Sequence, residues 1–174
     1  MKKIDLTRNS EELRDLKAGE YALLSGVIYT ARDQAHKRLV SAKRGPVDLK
    51  GAVIYYCGPT PARRGKAIGS AGPTTSSRMD KFTPALLKRG LLAMIGKGGR
   101  SEEVRRAIKK HKAVYFLTYA GCGALLTKYI KKAKPVAYKE LGPEAIHRLE
   151  VKDFPVIVSI DSKGKKQGHP ISQS

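Results

Sequence analysis

The chain has 174 residues, 41% hydrophobic and 29% charged, which fits one globular domain with an apolar core and excludes a disordered chain. Its 35 Lys and Arg outnumber 15 Asp and Glu, leaving a formal charge of +20 that calls for an anionic partner: nucleic acid, an acidic protein surface or a small polycarboxylate. Cys57 and Cys122 are too few for a disulfide framework, and too few to hold an iron–sulfur cluster or zinc site alone.

Both cysteines are expected as small buried apolar residues. The histidines His36, His111, His147 and His169 show no metal-ligand spacing. No apolar run reaches bilayer length, and no apolar stretch follows the two lysines of MKKIDLTRNSEELRDL. A single cytoplasmic domain over residues 1–174 is expected, fraying from about residue 165.

In chain order, SEELRDLKAGE predicts a short helix ended by Gly19, and EYALLSGVIYTAR predicts a strand. DQAHKRLVSAKRG predicts a helix with Asp33 at its positive end and Gly45-Pro46 as its stop. GAVIYYCG is a continuous apolar run, the mark of a strand buried on both faces. PTPARRGKAIGSAGPTTSS is a long turn-rich connection of the kind that carries function. TPALLKRGLLAMIG has apolar residues at helical spacing, with Thr83 as N-cap and Pro84 at the first helical position. SEEVRRAIKKHK predicts a helix capped by Ser101, with glutamates at its start and cations at its end. AVYFLTYAG, KPVAYKEL and FPVIVSIDSKG predict strands, GPEAIHRLEV a short helix, and TYAGCGALL a tight strand-to-helix turn. The alternation predicts an α/β fold with mixed strand order.

Glycine, hydroxyls and cations concentrate in four segments: YTARDQAHKR, YYCGPTPARRGK, GPTTSSRMD and IGKGGRSEE. In open α/β sheets ligands collect where strands end and loops open. Arg32 is either an ion-pair partner of Asp33 on a surface helix that also exposes His36, or a forked donor to a carboxylate. The hydroxyls from Thr74 to Ser77 either cap a helix or join exposed amides and Arg78 around an anion. Lys97 either sits in a glycine-rich helix–helix joint or offers a point charge to an anion. The Gly-Lys pattern is not a complete P-loop, and no Ser-His-Asp spacing or acid/base carboxylate pair stands out. Carboxylates are scarce in these segments, so an acid/base enzyme here is expected to draw groups from a second chain.

GVIYTARDQAHKR, YYCGPTP, GPTTSSRMD and MIGKGG follow one another in the order and approximate spacing of the C-terminal domain of class I, iron–sulfur fumarases. The chain resembles that family over roughly residues 5–165, including its separate beta subunit in two-chain fumarases and in L(+)-tartrate dehydratases. The resemblance implies a swivelling three-layer β/β/α domain with mixed sheets. It implies reversible hydration and dehydration of a small dicarboxylate, fumarate with malate first and tartrate as the alternative. It also implies a 4Fe–4S cluster ligated by a separate alpha subunit, in a heterodimer or heterotetramer.

Residue by residue, Arg32 and Arg78 resemble the family's carboxylate-binding arginines, and Lys97 its substrate-contacting lysine. Thr74 resembles its proton-abstracting threonine, with Thr75 beside it, and Asp33 and His36 are supporting residues. A small basic nucleic-acid-binding module is the alternative from a different class. Against it, the lysines form no single arm, and three Phe with no Trp offer little base stacking.

Overall fold

The computed structural model describes residues 1–168. Val53, Ile54 and Tyr55 form strand β3 (Val53–Tyr55) and are all buried, as a run apolar on both faces requires. Its parallel neighbours are β2 (Tyr21–Thr30) and β4 (Ala93–Gly96), and β4 pairs in parallel with β5 (Val114–Leu117). Strand β1 (Lys2–Asp5) runs parallel to the first half of β2.

A fifteen-residue strand, β7 (Ile146–Ile160), runs antiparallel to β2. Its other edge pairs first with β6 (Ile130–Ala137) and then with β5. The change of partner falls around Asp153, which has φ 53° and lies opposite the register shift between Leu24 and Gly26. Such a bulge bends a long strand and turns it toward a second neighbour. The hydrogen-bonded circuit β2–β3–β4–β5–β7 therefore closes on itself, with mixed strand directions.

Alternate residues of the central strands point into two cores. Val53, Tyr55, Ala93, Ile95, Val114 and Phe116 meet β2 and β7 residues such as Leu24, Ile28 and Phe154. Ile54, Tyr56, Met94 and Tyr115 face three helices. These are α1 (Asp33–Ser41), α2 (Thr83–Lys88) and α3 (Glu102–His111), which supply Leu39, Leu86 and Ile108 among others. A fourth short helix, α4 (Gly123–Leu126), follows β5, as the tight turn in TYAGCGALL predicts. None of the helices among the described residues is long and apolar enough to cross a membrane.

Four local expectations are corrected. The helix in TPALLKRGLLAMIG ends at Lys88, because Gly90 takes φ 95° and closes it through Gly90 N–H to Leu87 O and Leu91 N–H to Leu86 O. Ala93–Gly96 then pairs between β3 and β5, where sheet partners outweigh helical spacing. Thr83 does not cap α2: Phe82 precedes the helix, and the Thr83 hydroxyl donates to Met79 O at 2.8 Å. GPEAIHRLEV forms no helix of its own: its first residues end the 3-10 segment Lys139–Glu144, which kinks at Gly142, and Ile146 onward is β7, drawn into the sheet between β2 and β6.

SEELRD likewise forms a 3-10 turn, Ser10–Asp15. Residues 165–167, where fraying was expected to begin, bond back to the strand end through Asp161 N–H to Lys165 O and Gln167 N–H to Ser159 O. Residues 169–174 of the expected tail lie outside the described residues.

Phe154 is fully buried, with its ring centroid 5.4 Å from that of Tyr55 and 6.4 Å from that of Tyr129. It joins β7 to β3. Phe154→Ala is expected to lower unfolding free energy by about 3–5 kcal/mol in urea titration. A loss below about 1 kcal/mol would show that this contact does not hold the closed circuit together.

Candidate active site

Because β2, β3 and β4 are parallel neighbours, they end on one edge of the sheet. Arg32 and Asp33 follow β2, Tyr56 to Gly58 follow β3, and Lys97 follows β4. The long connection after β3 returns to the same edge. Thr74 N–H donates to Tyr56 O at 2.7 Å, and Thr75 forms a parallel bridge with Lys97. Ser76 N–H donates to Lys97 O at 3.0 Å, and Lys97 N–H donates to Ser76 Oγ at 3.1 Å. GPTTSSRMD is thus stitched between the exits of two strands. All seven candidate residues, Arg32, Asp33, His36, Thr74, Thr75, Arg78 and Lys97, belong to segments meeting at this edge. This is where an α/β sheet collects ligands.

Two glycines permit the approach. A Cβ on Gly96 would overlap Ser76 Oγ, and one on Gly58 would lie 2.7 Å from Arg32 Cδ. Lys97 therefore lies in a strand-to-helix joint, not the helix–helix joint one reading expected.

The hydroxyls divide their work. Ser76 is buried and structural. The 3-10 turn Ser76–Met79 receives no side-chain cap from Thr75. Two of the amides expected to face an anion are already bonded, those of Thr74 and Ser76. The hydroxyls of Thr74 and Thr75 make no hydrogen bond among the described residues, so these two side chains are left for a ligand.

The charges divide as well. Asp33 pairs with Arg78 and not with Arg32: Arg78 Nε donates to Oδ1 at 3.2 Å, and Nη2 donates to Oδ2. The hydrogen bond from Arg78 holds the Asp33 carboxyl below its usual range, and Asp33 in turn raises Arg78. Asp33 occupies one edge of the guanidinium. Nη1 makes no hydrogen bond among the described residues and leaves the fork's far end available. Glu144, outside the four segments, adds a second negative field at Arg78 and accepts from Gln34 N–H at 3.4 Å.

Arg32 and Lys97 are both half-buried, and neither forms an ion pair among the described residues. His36 is fully buried, so its place on a surface helix is corrected: α1 turns that side toward Tyr56 and Phe82. Burial pushes its imidazole down to about 4, so it is neutral at pH 7. Cys57 is buried, which pushes its thiol up to about 12, while Cys122 is exposed, contrary to expectation, on the turn before α4.

Beneath the edge lies a network that no local sequence pattern reveals. The Arg100 side chain has no solvent exposure; its Nε donates to Asp80 Oδ1 at 2.6 Å and its Nη2 to Thr83 Oγ1 at 2.7 Å. Its guanidinium carbon lies 5.3 Å from the Tyr56 ring centroid and 4.8 Å from that of Tyr115. Asp80 Oδ2 accepts Ser101 N–H at 2.8 Å. The Tyr115 hydroxyl lies 2.8 Å from both Gly98 O and Ser76 Oγ, so it donates to the carbonyl and accepts from the serine. Asp80 closes the GPTTSSRMD segment and Arg100 the IGKGGR run, twenty residues apart.

Arg100→Met is expected to destabilise the chain by about 3–5 kcal/mol, because Asp80 loses its buried partner. Adding Asp80→Asn should recover part of that loss in the same urea titration. A single change costing less than about 1 kcal/mol would contradict this reading of the pair.

The edge offers two unpaired cations, a third held by an acid, and spare hydroxyls, an arrangement suited to a small anion with more than one charged group. The sequence matches the family model described as fumarase C-terminus over residues 1–169. It is similar to a putative fumarate hydratase class I of Geobacillus stearothermophilus, 37% identical over 169 residues, covering 94% of this chain and 33% of that protein. It is similar to the L(+)-tartrate dehydratase subunit beta of Escherichia coli (strain K12), 37% identical over 171 residues, covering 94% of this chain and 85% of that subunit. It is also similar to the aerobic fumarate hydratase class I of Salmonella typhimurium, 39% identical over 173 residues, covering 93% of this chain and 30% of that protein. The chain therefore spans about a third of these fumarate hydratases and most of the tartrate dehydratase subunit. Since the match runs through all four segments that meet at the sheet edge, the chain belongs to the fumarase C-terminus family.

Proposed function

We propose that this chain is the beta subunit of an iron–sulfur hydro-lyase that hydrates and dehydrates a small dicarboxylate. Fumarate with malate is the first choice of substrate and L(+)-tartrate the alternative. The observation that carries the reading is the pair of unpaired cations, Arg32 and Lys97, at the same edge as the spare hydroxyls of Thr74 and Thr75. Arg32 and Lys97 take substrate carboxylates. The free end of the Arg78 fork adds a donor whose direction Asp33 fixes.

In dehydration the carbon beside one carboxylate loses a proton, the C–H electrons form the double bond, and the neighbouring C–O bond breaks with its electron pair to release hydroxide, which takes up a proton and leaves as water. Thr74 is the proposed acceptor of that proton, and Thr75 binds substrate beside it. A threonine hydroxyl is a weak base, so the reaction depends on nearby cations that stabilise the enediolate-like charge.

The donor set of this chain does not fit a 4Fe–4S cluster. It has two cysteines, one buried and one exposed, and the described residues gather no group of three His, Cys, Asp or Glu able to hold a metal ion. We place the cluster on a separate alpha subunit, in a heterodimer or heterotetramer, and the roles above need only the residues of this chain. The exposed edge, with Thr75 and Arg78 on it, faces that partner. The two cores on either side of β3–β5 support the swivelling three-layer β/β/α arrangement. The two free thiols suit a reducing cytoplasm.

The test is co-expression with a cysteine-bearing alpha subunit, anaerobic cluster reconstitution, and assay with fumarate, malate and tartrate. Lys97→Met and Arg32→Leu should each raise KM about tenfold or more, the loss of one charge-assisted hydrogen bond. Thr74→Val should lower kcat by about a hundredfold or more with a smaller effect on KM. An assembled complex inactive on every hydroxydicarboxylate would refute the proposal.

A further inference from the structure

We infer that His36 is a positioning residue: its buried imidazole, in the Nδ1–H form, grips the Arg32 carbonyl and so fixes the aim of the Arg32 side chain. Only the meaning of Arg32 as a carboxylate donor rests on the proposed function. Arg32 precedes α1 in extended conformation, with φ −116° and ψ −162°, at the position where a helix usually carries Ser, Thr, Asp or Asn. Its side chain supplies no capping oxygen. Its carbonyl instead accepts two donors, His36 N–H at 2.9 Å and His36 Nδ1 at 2.8 Å.

A carbonyl can only accept, so the proton sits on Nδ1, and Nε2 carries the lone pair. That nitrogen is buried and meets no donor among the described residues, and a second proton there would add charge to an apolar pocket facing Arg100. The groups around the ring are Arg32 and Asp33 on its own helix, Tyr56 after β3, Phe82 before α2, and the Arg100 charge.

The ring touches the two segments that carry the rest of the site. Its centroid is 5.2 Å from that of Tyr56, whose carbonyl holds Thr74 N–H. It is 5.9 Å from that of Phe82, four residues after Arg78. Gly58 borders the Arg32 shaft: a Cβ there would lie 2.7 Å from Arg32 Cδ and push the side chain aside. Arg32 Nε is itself buried without a partner among the described residues. With no ion pair to orient this arginine, the backbone grip and the glycine wall set its direction.

The experiment uses the full chain and, in a second arm, the assembled enzyme. Side-chain nitrogen NMR at pH 7 should show His36 with protonated Nδ1 and lone-pair Nε2, and a resolved Arg32 Nε–H distinct from exposed arginines. His36→Leu should collapse that Arg32 signal into the exposed-arginine envelope. His36→Asn, which places an amide N–H near the Nδ1 position, should restore it. In the assembled enzyme, His36→Leu should raise KM about tenfold with a smaller change in kcat, and should add nothing in an Arg32→Leu background.

An Nε2–H tautomer, an imidazolium, or an Arg32 signal unmoved in His36→Leu would overturn the inference. So would an equal KM rise in the Arg32→Leu background, which would mean damage unrelated to Arg32. If His36→Leu does not fold, the tautomer and the His36→Asn spectrum decide. If the assembled enzyme is inactive, the proposed function fails, while the NMR arm still decides the role of His36.

Discussion

The site depends on one buried cation. Arg100 is sealed from solvent and binds Asp80, Thr83 and the faces of Tyr56 and Tyr115. A charge in that position is costly unless its partners are complete, so the partners must arrive together. They come from the strand exit that holds Thr74, the segment that carries Arg78, the start of α2, and β5. Asp80 also takes Ser101 N–H and thereby fixes the start of α3. Ser76, reached by the Tyr115 hydroxyl, then ties GPTTSSRMD to Lys97. Fixing Arg100 fixes the spacing between the threonines and the lysine.

Above this layer the cations fall into two kinds. Arg100 and Arg78 have acids of their own, Asp80 and Asp33. Arg32 and Lys97 have none among the described residues. Neutralised cations hold the scaffold in place, and in the proposed reading the unneutralised ones bind the anion. Much of the formal +20 lies elsewhere on the surface, where exposed lysines and screened pairs contribute little to stability. In the proposed reading, the local arrangement, more than the net charge, selects a small dicarboxylate over a polyanion.

How much of this was legible in the sequence follows from the range of each interaction. Strands β2, β3 and β5 showed themselves in runs of branched and aromatic residues, and α3 in its serine cap and charge polarity. The four site segments were visible because glycines, hydroxyls and cations crowd a few positions. Where a choice depended on distant partners, local pattern misled. Ala93–Gly96 has helical spacing but lies between two strands, and Ile146 begins a fifteen-residue strand, not a helix. Asp33 was adjacent to Arg32 in sequence yet pairs with Arg78, forty-five residues away. The burial of His36 and the Arg100–Asp80 pair stayed hidden for the same reason: burial is a property of the packed sheet and helices.

The most direct test of the account is a crystal structure of the assembled two-subunit enzyme with a bound dicarboxylate. The account predicts substrate carboxylate oxygens roughly 3 Å from Arg32 and Lys97, and the carbon that loses its proton nearest Thr74 Oγ1. A substrate held wholly by the partner subunit, with Arg32 and Lys97 turned to solvent or to partner acids, would contradict it.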